Sequence, residues 1–362
     1  MAESSAPSPR LRVFVSYSHE DQRICDVVCS ALRSAGVVPW SDSDIQPGTG
    51  FTKQIQASIT HAHVFMPILT PQSHARGWVH QEIGFAVAMR VPCVPICIGK
   101  LPDGMIAMAH SVVVNEELAY LEQKVAAIRF MRLVDEAGGQ WEPSGETALE
   151  PEDRALTIER YSNEALDALG ESCVRIQGGL TSFSLPKEPV EHPVWVARYG
   201  GRPRSAYSCA RFRRERVALT KHAAVAGVRM IVNHGLELDE HYGPGAKRTR
   251  LCILTQFLES LPISDEQVQV ALVPEHPPHL VLAVGDWFVA ESLAGRPVRG
   301  VLHTVFTSHA PTVMRLIAEF DAKLTALLAE QGISPSQSRL QAIDRLKAMI
   351  RDLPPHPAWS CQ

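Results

Sequence analysis

The sequence predicts an α/β protein in two parts: an N-terminal doubly wound parallel sheet, then a second mixed α/β domain. Three observations predict this. Short β-branched runs alternate with amphipathic helical stretches through residues 12–98. The chain has 362 residues, more than one core usually serves. A stretch with turn composition, Gly138-Gly139-Gln140-Trp141-Glu142-Pro143-Ser144-Gly145, separates the first set of elements from a second.

Composition supports packed domains, with 45% hydrophobic and 20% charged residues. A net charge of −4 does not suggest a dedicated nucleic-acid binder. The eight cysteines contain no Cys-x-x-Cys pair. Reduced core thiols are therefore expected, and a disulfide framework is not. Met1 to Pro9 is rich in Ala, Ser and Pro and lacks the apolar segment of a secretory signal. No run reaches bilayer-spanning length, so a cytoplasmic protein with no membrane partner is expected.

In order, Arg12-Val13-Phe14-Val15-Ser16-Tyr17-Ser18 reads as the first strand. Asp21 is placed to cap the next helix, which carries Ile24, Val27, Val28, Ala31 and Leu32 on one face and ends at Gly36. Val37 to Trp40 is a second strand. Ser41 to Gly50 is a polar loop around Pro47-Gly48, and Phe51 to Thr60 returns to helical period. Val64 to Leu69 is a third strand, expected to be interrupted or at an edge because of Pro67. Trp78 to Met89 is a helix and Val91 to Ile98 a fourth strand. Val112 to Val114 ends the sheet, and Glu116 to Val134 reads as one helix. The expected division is a disordered lead over 1–10, a first domain over 11–135, and a linker with a connecting helix over 136–175. A C-terminal α/β domain over 176–353 and a tail over 354–362 complete it.

In the second domain, Arg211 to Ala226 and Lys247 to Leu261 read as helices. Val228 to Val232, Val268 to Val273, Leu280 to Val284 and Val298 to Thr307 read as strands. Pro311 to Gln331 and Pro335 to Leu353 are helical. Two basic runs, around Arg211, Arg213, Arg214 and Arg216 and around Lys247, Arg248 and Arg250, read first as solvated helix faces. An anionic small molecule docking there is the sharper reading. His234, His303 and His309 lack metal-ligand spacing, so no metal site is expected. No Gly-x-Gly-x-x-Gly follows the first strand, so no bound redox dinucleotide is expected either.

The chemistry centres on Gly77-Trp78-Val79-His80-Gln81-Glu82. The plain reading of Glu82 is a carboxylate in the first turn of a helix, facing its positive dipole end. The sharper reading is a catalytic acid at the rim of the sheet.

Phe14-Val15-Ser16-Tyr17, the Asp42 to Pro47-Gly48 loop, Trp78-x-x-x-Glu82 and Val94-Pro95-Ile96 together resemble a Toll/interleukin-1 receptor (TIR) domain. The resemblance covers the first third of the chain and implies a flavodoxin-like fold. Trp78-x-x-x-Glu82 is similar to the element of TIR domains that cleave NAD. That resemblance implies Glu82 as catalytic residue and NAD+ as substrate, with no cofactor. It also implies a pocket drawn from Phe14, Ser16, Tyr17, Trp40, Asp42, Pro47, Gly48, Phe51 and Trp78. For Phe14 and Trp78 core packing is the plain alternative. For Trp40 and Phe51 packing and stacking on a flat ring weigh equally.

The implied role is a bacterial NAD+ glycohydrolase acting in antiviral defence. It would be switched on by self-association through TIR domains, under an anionic trigger or a protein partner at the C-terminal domain. The alternative is a non-enzymatic scaffold signalling through TIR–TIR association. The second half resembles phospholipase-D-like domains, with the order of strands around Val284-Gly285-Asp286 and a helix bearing Glu319-Phe320-Asp321. No His-x-Lys occurs, so a non-catalytic version is implied.

Overall fold

The computed structural model describes residues 11–41, 51–73, 77–99, 111–138, 145–179, 182–184, 206–235, 245–275, 279–294 and 301–354. They form two compact units. One takes in residues 1–144 and 308–315, the other 145–307 and 316–362. The helix expected to connect them, Pro151–Leu169, groups with the second unit.

In the first unit, β1 (Arg12–Ser16), β2 (Val38–Ser41), β3 (Val64–Leu69), β4 (Ile96–Ile98) and β5 (Val112–Val114) form a parallel sheet in the order β2-β1-β3-β4-β5. This is the doubly wound order with a reversal between β1 and β3. Strand alternation divides the core in two. Val13, Val15 and Tyr17 join Val28 and Leu32 of α1 (Gln22–Ser34) and Val125 of α4 (Leu121–Ala126). Phe14 joins Ile55 and Ile59 of α2 (Phe51–His61) and Val79 and Ile83 of α3 (Gly77–Ala88).

Three expectations change here. Pro67 lies in an unbroken strand at the centre of the sheet, paired with Ser16 of β1. Phe65 exchanges bonds with Pro92 and Val94, so its backbone groups face β4, and those of Pro67, two residues on, face the same way. The missing N–H therefore falls on the β4 side. There the ladder lapses between the Phe65–Cys93 bridge and the Ile68–Ile96 pair. The single helix expected over 116–134 is two, α4 and α5 (Phe130–Gly138), preceded by Leu118 and Tyr120 at left-handed φ of 55° and 61°. Asp21 does not cap α1; no side-chain bond to the helix start exists.

At the amino end of β1, Arg12 is buried and donates from Nε to the His61 carbonyl at 2.9 Å. Its backbone N–H donates to His63 Nδ1 at 2.9 Å. His309, fully buried, shares a hydrogen bond between Nδ1 and Thr312 Oγ1 at 2.8 Å. Burial pushes its pKa down to about 4, the nearby His63 adds to the effect, and a bond to the Arg90 backbone opposes it.

The second unit holds β6 (Glu146–Ala148), β7 (Val174–Gly179), β8 (Val228–Asn233), β9 (Val268–Val273), β10 (His279–Val284), β11 (Phe288–Ala294) and β12 (Val301–Thr307). Their order is β6-β12-β11-β10-β7-β8-β9. Strands β7, β8 and β9 run parallel, and the other pairs are antiparallel. Helix α6 (Pro151–Leu169) precedes β7, α7 (Ala206–Ala226) joins β7 to β8, and α8 (Ala246–Ser260) joins β8 to β9. Helix α9 (Ala310–Glu330) buries Phe320, Leu324 and Leu328 against Ile231 and Ala271, and α10 (Ser338–Asp352) closes the chain. Arg175 holds Asp321 through two bonds of 2.9 Å, and Arg229 adds a third contact. Cys93, Cys97 and Cys173 are free thiols and the Cys25 and Cys29 sulfurs lie 3.8 Å apart without a disulfide between them, but Cys252 is disulfide-bonded, which departs from the expected all-reduced set.

Candidate functional site

The carboxyl ends of β1 and β3 collect buried polar side chains, where an open parallel sheet normally binds its ligand. Ser16 closes β1 and is 1% exposed. It shares a sheet face with Phe14, the face covered by α2 and α3. Its hydroxyl donates to Glu82 Oε2.

Glu82 is 7% exposed and stands in the second turn of α3, whose first turn holds no acidic residue. The helix-start account of this carboxylate therefore does not apply. Its neighbours Val79, Ile83 and Ala86 are core residues, so the carboxylate comes from a helix face that is otherwise apolar. Burial of a carboxylate is costly unless hydrogen bonds meet it, and Ser16 supplies one.

A second polar cluster joins the loops after β1 and β3. Thr70 Oγ1 donates to Asp21 Oδ2 at 3.1 Å. The Thr70 N–H reaches Ser73 Oγ at 2.8 Å, and the Ser73 N–H returns to Thr70 Oγ1 at 3.1 Å. Ser73 Oγ also donates to the Ile68 carbonyl at 3.2 Å. Asp21, Thr70 and Ser73 are all buried. Ser18 is fully buried, its carbonyl accepts the Asp21 N–H at 2.6 Å, and its hydroxyl has no hydrogen-bond partner among the described residues.

The other expected pocket residues separate. Tyr17 points into the opposite layer and bonds Gln22 Oε1 at 2.5 Å. Phe14 is fully buried and stacks with Phe65 at 6.2 Å between ring centroids. Trp40 pairs with Phe14 across β1 and β2, packs on the same core, and lies under the Arg12 guanidinium at 5.5 Å. Phe51 begins α2 and Trp78 is the second residue of α3, but their side chains lie outside the described residues. Asp42, Pro47 and Gly48 lie outside them altogether. His80 is exposed.

Thus Ser16 and Glu82 meet, Trp40 shares their layer, and Tyr17 does not. Sequence reasoning missed Thr70, Ser73 and the partner of Asp21. Their available signal was the clustering of hydroxyls and a carboxylate directly after two apolar strands. Among the described residues no group of three or more His, Cys, Asp or Glu is placed to hold a metal ion.

Residues 13–156 match the family model of the TIR domain. Over 137 residues the chain is 31% identical to a 5-methyltetrahydropteroyltriglutamate–homocysteine methyltransferase of Paraburkholderia xenovorans (strain LB400). That match takes in 36% of this chain and 17% of the relative, so the chain spans only a small part of that protein's length. A solved structure of the CMP N-glycosidase BcmB of Clostridium botulinum is 23% identical. It covers 31% of this chain and 96% of its own, with a TM-score of 0.23.

Proposed function

With a TIR domain present at residues 13–156, we propose that the protein hydrolyses NAD+ at the nicotinamide–ribose bond. The products are nicotinamide and ADP-ribose or its cyclic variant. Glu82 is the catalytic carboxylate. The observation that carries the reading is its burial at the carboxyl edge of the parallel sheet, held by the Ser16 hydroxyl.

Cleavage sends the C–N bonding pair onto the nicotinamide nitrogen, which leaves neutral. The ribose is left with oxocarbenium character. A fixed carboxylate in a water-poor site stabilises that charge more than bulk water does. Water then adds at the sugar carbon and loses its proton, giving ADP-ribose; for the cyclic variant a nitrogen of the molecule's own adenine forms that bond in place of water. Nicotinamide is already a good leaving group, so a lone carboxylate is chemically adequate. Trp40, Phe51, Trp78 and the loop bearing Asp42, Pro47 and Gly48 are the residues assigned to the dinucleotide. No catalytic step is assigned to the second unit.

In this reading the protein is a cytoplasmic defence effector. Association of TIR domains completes its site, and an anionic trigger or protein partner at the second unit promotes it. NAD turnover by concentrated full-length protein should vanish in Glu82→Gln and Glu82→Ala while circular dichroism stays unchanged. Undiminished turnover in both variants sinks the assignment. The Ser16–Glu82 bond also fastens α3 to β1, which a non-enzymatic TIR scaffold would equally use. That second reading predicts concentration-dependent self-association without NAD loss.

A further inference from the structure

We propose that the carboxyl edge of β7 and β8, together with the N-terminus of α8, binds a phosphate-bearing small molecule. This gives a place to the anionic trigger invoked above, but the site owes nothing to Glu82.

The parallel part of the second sheet brings the ends of β7, β8 and β9 to one edge, with Gly179 paired to Asn233 and Asn233 to Val273. Helix α8 follows β8, so its N-terminus lies at this same edge. The helix begins after Gly245 at φ 83°, a residue with no side chain to cap it, and its first turn contains no acid. The first amides of a helix have no acceptor within it, and they carry the positive end of its dipole. Lys247 is the second residue of this helix. Burial lowers the pKa of His234, just past β8, and the charges of Arg345 and Lys247 lower it further.

Two buried side chains supply the independent sign of a ligand. Asn233 is 1% exposed, and its Oδ1 accepts the Gly235 N–H at 2.8 Å. That bond sets the amide over the turn leaving β8, and its Nδ2 donor has no hydrogen-bond partner among the described residues. Thr249, one turn into α8, is 7% exposed, and its hydroxyl likewise has no partner among the described residues. A buried donor left unmatched costs free energy, so one at the end of β8 and one at the start of α8 ask for an acceptor.

The surrounding frame is fixed. Arg250 Nε donates to Ser184 Oγ at 2.7 Å, tying the segment after β7 to α8. Phe183 stacks on Phe257 at 4.0 Å. Gly235 lies so close to the Pro274 carbonyl that an added Cβ would sit 2.1 Å from its oxygen. Of the acids in this region, Glu215 is engaged by Ser182 at 2.8 Å and Arg154 at 3.3 Å. Amide donors, a hydroxyl, a dipole end and local cations make an acceptor-rich dianion the matching chemistry.

The test is thermal melting and calorimetric titration of the full chain with inorganic phosphate and, separately, with a panel of mono- and dinucleotides. A stabilising ligand is expected in the parent and in Glu82→Gln alike, which separates this site from NAD cleavage. Affinity should fall about tenfold or more in Asn233→Asp, which keeps the shape and adds a repelling charge. Thr249→Val and Lys247→Gln should weaken it less, and they supply the reading if Asn233→Asp does not fold. Tighter binding of a nucleotide than of phosphate identifies the ligand as an organic phosphate, and equal binding identifies a plain phosphate site. No stabilisation by any of these probes at millimolar concentration overturns the proposal. So does stabilisation that persists unchanged in Asn233→Asp and Thr249→Val.

Discussion

The Ser16 hydroxyl, at the last position of β1, hydrogen-bonds the carboxylate of Glu82, buried in the second turn of α3. The contact joins residues 66 positions apart in sequence and fixes one Glu82 oxygen relative to the sheet edge. A carboxylate that must meet a transient charge gains from being aimed beforehand.

Ser16 is accordingly expected to position Glu82. Ser16→Ala should lower kcat for NAD cleavage by roughly tenfold, with KM changed little. Ser16→Thr, which keeps the hydroxyl, should recover part of the loss. Steady-state kinetics on both variants, with Glu82→Gln as the inactive reference, checks this. A fall in Ser16→Ala confined to KM would remove the positioning role.

The Asp21–Thr70 bond closes the space between the loops after β1 and β3. Thr70→Val keeps the shape of the side chain and leaves the buried Asp21 carboxylate short of a donor. The expected loss is about 1–2 kcal/mol, read from urea unfolding. Thr70→Ser should stay within about 0.5 kcal/mol of the parent.

His309 links stability to pH. Its folded pKa is about 4, below the ordinary 6.5. The unfolded chain therefore takes up a proton between those values and the folded chain does not. Stability from this group is complete above pH 6.5 and is lost as the pH falls toward 4, by about 3 kcal/mol at most. His309→Asn should flatten that part of the stability profile between pH 7 and pH 4. An unchanged slope would show that other groups set it.

Much of the first unit was legible because its strands and helices carry their own periods. Arg12 to Ser16 and Val64 to Leu69 are set by short β-branched and apolar runs and α1 by a helical stripe, and tertiary contacts confirm them. Strand β7 was missed because only Val174 to Gln177 alternate before two glycines, a signal too short to stand alone. Pairing on both sides with β8 and β10, and the Arg175–Asp321 contact, hold it in place. The break before α4 escaped notice because Leu118 and Tyr120 adopt left-handed backbone angles that their residue types disfavour. At the candidate site, Glu82 could be singled out from spacing. Its Ser16 partner and the turn of Asp21 toward Thr70 are contacts across 66 and 49 positions, which no local pattern encodes.

The lapse beside Pro67 has a consequence for how the first sheet breathes. The register sharing Phe65–Cys93 and Ile68–Ile96 sets Pro67 opposite Pro95, so the seam between β3 and β4 is thinly bonded at mid-strand. Strands β4 and β5 contribute three residues each, whereas β1 is laddered on both sides. Amide exchange should therefore be graded across the sheet. Ile96, Cys97 and Val113 should take up deuterium through local opening, while Phe14 and Val15 wait for global unfolding. The strand that presents Ser16 would then belong to the slowest-exchanging part of this unit.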